Sequence, residues 1–287
     1  MGVTYRDLVT GSIKLVSVPE LYVRIQEAVD SPTTSAATIG NIIGQDPALT
    51  AQLLKIANSP LYGFSNKIDT ISRAIMVIGT RGLSDLVLAA SAVDVFAKIP
   101  SHLINMASFW RHSIYTAVVA RMIAARCNIL HAERLFVSGL LHDIGELIIF
   151  YKLPEMGREA LLRCRSLGQP LSQAEHEVMG FDHALVGGEI LRKWNLPESI
   201  VEAVLYHHAP GEAGDYALEA SVVHLATGLA AMGDGKDGID QHGNVLLPGA
   251  WERTGLSEDI TESLLSEARP HFISALSLFL PQAATAA

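Results

Sequence analysis

The chain has 287 residues, of which 49% are hydrophobic and 18% charged, with a formal charge of -9. That composition excludes a disordered chain and supplies enough apolar material for one large or two modest packed domains. Without a clustered basic face the negative balance argues against nucleic acid as a partner, because neutralising phosphates requires such a face.

Asp85 and Asp94 interrupt the apolar stretch from Leu83 to Ile99 well before the roughly 18 residues that a span requires, so no membrane helix is expected. Tyr5, Arg6 and Asp7 stand where a secretory leader would need an apolar core, and Cys127 and Cys164 lie in helix-like contexts. Both features point to a reducing cytoplasm.

From Pro19 to Ala97 the pattern predicts a series of short amphipathic helices. Ser35 is suited to cap a helix through Gln45, and Asp46 followed by Pro47 opens the next, which runs to Ala57. Asn58-Ser59-Pro60 ends it. Thr70 is suited to cap Ile71–Ile78, Gly79 to close that helix in the left-handed conformation, and Thr80 to start another through Ala97. Pro100-Ser101 separates two halves, and a long helix carrying His112 follows to about Asn128.

Apolar residues recur at helical spacing from Leu135 to Phe150, which predicts one mostly buried helix carrying His142 and Asp143. A buried carboxylate persists there only with compensation, from hydrogen-bonding partners or from a metal ion, and both readings stay open. Gly145 keeps the backbone beside the pair uncrowded.

Further on, Pro154 and Gly168-Gln169-Pro170 mark turns, and Ser172 with Glu175 matches a capping box. Asp182 is suited to cap a helix from His183 to Asn195, and Leu196-Pro197 opens another that ends near His207-His208. Ala217 to Met232 reads as helix, Gly233 to Gly249 as an exposed, mobile loop, Ser257 to Leu280 as a final amphipathic segment, and Pro281 to Ala287 as a frayed tail. Trp110, Phe136 and Trp194 are expected to be buried. No segment shows strand-like alternation.

Several strings taken together carry a resemblance: Asp46-Pro47-Ala48-Leu49, Leu53 through Pro60, Ile71-Ser72-Arg73-Ala74-Ile75, Ile78-Gly79, His142-Asp143-Ile144-Gly145, Gly180-Phe181-Asp182-His183, Gly187, Trp194-Asn195-Leu196-Pro197 and His207-His208. Over about residues 13–210 the chain resembles the HDOD family, bacterial signalling modules related to HD phosphohydrolases. The resemblance implies an all-α fold, with an N-terminal helical bundle (1–99) packed on an HD-like helical bundle (100–287). It also implies a cytoplasmic signal-transduction role with signalling proteins as partners, and neither nucleic acid nor membrane; it assigns no oligomeric state.

Five of the eleven histidines fall where metal-dependent HD proteins place ligands. With Asp143, the resemblance makes His112, His142, His183, His207 and His208 the candidate metal donors, for one or two divalent ions of iron, manganese, zinc or nickel, or for none. Two departures bear on activity. The later Asp that closes the site in HD hydrolases is here Thr227, a weak ligand for which His224, one turn earlier, is a conceivable substitute. The hydrolytic cyclic-dinucleotide branch carries Lys directly after the motif, where this chain has Glu146, and its Gly-Tyr-Pro signature is absent from Ala209–Gly214. A carboxylate there repels a phosphodiester. The expectation is therefore a non-catalytic or degenerate regulatory module with no catalytic residue assigned; the alternative is a metal-dependent phosphohydrolase.

Overall fold

The computed structural model describes residues 4–12, 15–100, 102–233 and 246–280. Among these residues there is no strand, and sixteen α-helices make up the fold. The first half contains α1 (Tyr5–Ser12), α2 (Glu20–Asp30), α3 (Ala36–Gly44), α4 (Pro47–Ala57), α5 (Ile71–Ile78) and α6 (Thr80–Phe96). The second contains α7 (Met106–Arg126), α8 (Ala132–Leu141), α9 (Ile144–Lys152), α10 (Pro154–Leu167), α11 (Leu171–Met179), α12 (His183–Lys193), α13 (Glu198–Leu205), α14 (Ala217–Gly233), α15 (Pro248–Thr254) and α16 (Thr261–Phe279). No single helix among the described residues is long and apolar enough to cross a membrane.

Most helix starts follow from their caps. Side-chain oxygens of Ser35, Asp46, Thr70 and Asp182 accept from the backbone N–H three residues on, at 2.9–3.2 Å. Asn58 pins the loop that follows α4: its amide donates to Ile68 O at 2.6 Å, while Ile68 N–H donates to its Oδ1 at 2.7 Å. Gly79 has φ +87° and ψ 160°, a positive-φ extended conformation rather than the expected left-handed helical one, and it turns the chain through 113° between α5 and α6. Thr80 is thus the first helical residue and not a cap.

α7 and α8 pack side by side, with α14 and α16 against α7 and with α9, α12 and α13 completing the second half. α6 lies between α2 and α8 and joins the halves. α1 crosses over to pack on α9 and α12, and Trp194 Nε1 donates to Val16 O at 2.7 Å. Trp110, Phe136 and Trp194 are buried in one continuous core that draws on both halves. Most of the segment expected to be a mobile loop, 234–245, and the expected tail, 281–287, lie outside the described residues.

Burying α6 brings one acid with it. Asp85 is only 6% exposed, and burial pushes its carboxyl up to about 7, with Glu133 adding to the rise and Arg134 and Arg81 opposing it. A carboxyl raised in the folded state contributes most at acid pH, and its contribution is lost as pH rises from the ordinary carboxylate range through about 7. Asp85→Asn is therefore expected to gain stability on the wild type between pH 5 and pH 8, on the order of 2–4 kcal/mol. Denaturant melts at the two pH values check this; parallel pH profiles would contradict it.

Candidate metal centre

The centre is built at a break that the apolar periodicity did not reveal. The expected continuous helix from Leu135 to Phe150 is two helices, α8 and α9, with His142 and Asp143 at the corner between them. Every residue from Leu135 to Phe150 is buried, so the hydrophobic pattern runs through the corner without changing. Asp143 sits at φ -102° and ψ 8°, and its carbonyl accepts from Glu146 N–H at 2.9 Å. The corner lets neighbouring side chains, which on a continuous helix diverge by about 100°, meet the same space. Gly145 follows at once and lets α9 lie directly against α12: a Cβ there would overlap His183 O and stand 2.8 Å from Gly187 N.

The structure brings all six expected donors together. Asp143 Oδ2 faces His142 Nε2 at 2.9 Å and His112 Nε2 at 3.9 Å. Its other oxygen, Oδ1, faces His183 Nε2 at 3.4 Å and His207 Nε2 at 3.7 Å. His208 Nε2 lies 2.8 Å from His183 Nε2. His142, Asp143, His183 and His207 are at most 3% exposed, whereas His112 and His208 are half-buried.

Tautomers follow from the outer hydrogen bonds. Carbonyl and carboxylate oxygens only accept, so Nδ1–H of His142 donates to Gly139 O at 2.8 Å, that of His207 to Val204 O at 2.7 Å, and that of His183 to Glu175 at 2.6 Å. In the neutral ring, the form that binds a metal, each Nε2 then faces the centre with its lone pair, as the outer partners of metal-bound histidines arrange. Nε2 of His142 and of His207 is buried without a hydrogen bond. Burial, reinforced by His142, holds His207 well below the usual imidazole range and so neutral. Burial, the largest single influence, lowers His183, but the Glu175, Asp143 and Glu146 carboxyls together outweigh it and raise this group instead.

These residues fit a divalent transition metal. His142 Nε2 at 2.9 Å from a carboxylate oxygen, outside hydrogen-bond geometry, suits a cation held by both, since donors bound to one ion at roughly 2.0–2.2 Å sit about 3 Å apart. Asp143 also divides the donors into two sets, one on each oxygen.

Two acids complete the site in ways the sequence reading missed. Glu175 is fully buried and accepts both N–H and Nδ1–H of His183, so the capping-box reading fails: α11 starts at Leu171 after Pro170, with no side-chain cap. Its place on the buried stripe with Leu171 and Ala174 was the available signal. Glu146 is buried too, with Oε1 3.9 Å from His183 Nδ1; burial first, then Asp143, push its carboxyl well above the usual range. It forms a third potential donor group with Asp143 and His183. His224 is not a substitute ligand, because Nδ1 donates to His207 O at 2.7 Å and Nε2 accepts from Leu247 N–H at 3.0 Å. The Thr227 hydroxyl donates to Val223 O at 2.9 Å. Glu175→Gln leaves His183 Nδ1 poorly held and is expected to weaken metal binding roughly 10–100-fold in competition with a chelating indicator. An unchanged affinity would remove Glu175 from the centre.

An all-helical bundle with a histidine and aspartate corner at its core defines an HD-related protein. The HDOD domain matches residues 15–210, and the chain belongs to that family. It is similar to an HDOD domain protein of unknown function from Geobacter sulfurreducens, at 26% identity and a TM-score of 0.75, over 95% of this chain and 97% of that one. A provisionally named phosphohydrolase of Shewanella amazonensis shares the fold, at 21% identity and a TM-score of 0.73, over 95% and 98% of the two chains. Among curated relatives, an uncharacterised protein of Treponema pallidum is 27% identical over 231 residues, 78% of this chain and 44% of its own length. Ribonuclease Y of Thermosipho melanesiensis is 31% identical over 124 residues, 43% of this chain and 18% of the enzyme. The chain thus spans less than half the length of these curated relatives.

Proposed function

We propose that the chain is a regulatory HDOD module that holds one or two divalent transition-metal ions in the histidine and aspartate centre and signals through protein contacts, without turning over a substrate. The observation that supports this best is the enclosure of the centre. Four of its six donors are at most 3% exposed, and a third acid, Glu146, is buried among them at the position where the resemblance places a lysine in the hydrolytic cyclic-dinucleotide branch. Such a centre orders α7, α8, α9, α12 and the turn after α13 about one point. A bound ion supplies positive charge and Lewis acidity there. The chain's own residues hold the imidazoles in their donor tautomers and place the Glu146 carboxyl, which supplies no positive charge, where a phosphodiester would need a cation.

For partner contact the N-terminal half is favoured. On α5, Met76 is 78% exposed and Val77 45%, an apolar pair beside the Ile71–Ile75 string that the family resemblance singled out. A Met76→Asp, Val77→Asp double variant is expected to keep the wild-type melting temperature and metal content while losing the signalling protein that the wild type recovers from its native cell. Undiminished recovery by that variant would move the contact elsewhere.

The second reading, a metal-dependent phosphohydrolase, is supported by the division of donors over both oxygens of Asp143, which suits two ions that share a carboxylate. A hydrolysis assay on metal-loaded protein separates the two readings.

A further inference from the structure

A second polar cleft lies away from the metal centre, where the halves meet. It has a volume of about 300 Å³ and opens between α2, α6, α8 and the turn from α12 to α13. Asn195, Leu196 and Pro197 form one wall, with Asn195 at φ +55°. The metal centre makes no use of that string.

The cleft contains charged atoms left over from folding. Asp85 is buried on α6, and its Oδ2 makes no hydrogen bond. Arg134 on α8 reaches in from the other half, and its buried Nε–H donates to nothing. Arg81, at the start of α6, brings a second guanidinium. The rim acid Asp30 accepts from the Gln26 amide at 2.9 Å rather than from either arginine. Unsatisfied buried polar groups are costly, and charged ones more so, so this arrangement is kept at the expense of stability.

We propose that this cleft binds the phosphate group of a small phosphorylated metabolite, with Arg81 and Arg134 holding the dianion. Two guanidinium forks match the charge and the several acceptor oxygens of a phosphate better than a single carboxylate does. Burial keeps Asp85 partly protonated near neutral pH, so its carboxyl can donate to a phosphate oxygen instead of repelling it. The volume exceeds that of a phosphate ion and leaves room for an organic part. Arg134 lies on the helix that runs into His142, so a ligand held from both sides joins α6 of the N-terminal half to the helix that ends at the metal centre. The inference does not depend on the metal or on the absence of turnover.

The test is calorimetric titration of the full chain with inorganic phosphate and with glucose 6-phosphate, against chloride at matched ionic strength. Saturable binding is expected for both phosphates and not for chloride. An Arg81→Gln, Arg134→Gln double variant should raise both dissociation constants at least tenfold. If that variant misfolds, Arg81→Gln alone alters an exposed residue and should weaken binding severalfold. Phosphate heats no different from chloride would overturn the proposal. So would an unchanged dissociation constant in the arginine variants, which would assign the anion to the metal centre or another site.

Discussion

Gly145→Ala is expected to be the most damaging single-methyl substitution in the second half of the chain. The added Cβ would overlap the carbonyl of His183 and come within 2.9 Å of its carbon and 2.8 Å of Gly187 N, and all three are backbone atoms inside helix α12. No rotamer change relieves that contact, so α9 and α12 must separate. Overpacking against backbone is expected to cost more than about 3 kcal/mol, a fall of roughly 6–12 °C in melting temperature for a protein of this size. His183 would withdraw from Asp143 with its helix, so metal affinity should fall along with stability. Gly11→Ala, which meets nothing within 4 Å, provides the control and should melt within about 1 °C of the wild type. Equal melting temperatures for the two variants would show that α9 and α12 are not in the described contact.

The close packing of α9 on α12 was only partly visible in the sequence, and the reason is general to this fold. Features set by local bonds were legible: the caps at Ser35, Asp46, Thr70 and Asp182 each act over three residues, and the composition of the following helix confirms them. Five of the six candidate donors lie in the family strings, His142 and Asp143 in one, His183 in another and His207 and His208 in a third, while His112 was placed only by its position in the family pattern. Features set by contacts distant in sequence were not legible. The corner at His142–Asp143 hides because burial is continuous across it from Leu135 to Phe150, and Glu175 hides because its partner is eight residues on, at the start of the next helix. α1 gave no sign that it would cross to α9 and α12, because an amphipathic helix shows which face is buried and not what covers it.

Asp143→Asn is the second substitution with a large expected effect, and its sign depends on metal. Both oxygens of Asp143 face imidazole Nε2 atoms, so the amide replaces one acceptor with a donor aimed at lone pairs and removes the charge shared by both donor sets. Metal affinity should fall by more than about 100-fold, beyond what loss of an outer partner costs. A ligand present at 100 times its dissociation constant stabilises the folded chain by about 2.7 kcal/mol, so saturating manganese or zinc should raise the melting temperature of the wild type and leave the variant unchanged. With a chelator the order should reverse or level, because the variant no longer buries a charged carboxylate. Equal metal-induced shifts in both proteins would show that the ion, if bound, is not held by Asp143.

On the proposed function the metal centre is assembled, enclosed and silent. That silence is tested most directly by the rate at which the purified chain, with its metal content measured on the same sample, hydrolyses a chromogenic phosphodiester in the presence of manganese or iron. Stoichiometric metal with a rate indistinguishable from that of the Asp143→Asn protein is the predicted result. Metal-dependent turnover that is lost in Asp143→Asn would contradict it and make the centre an active site.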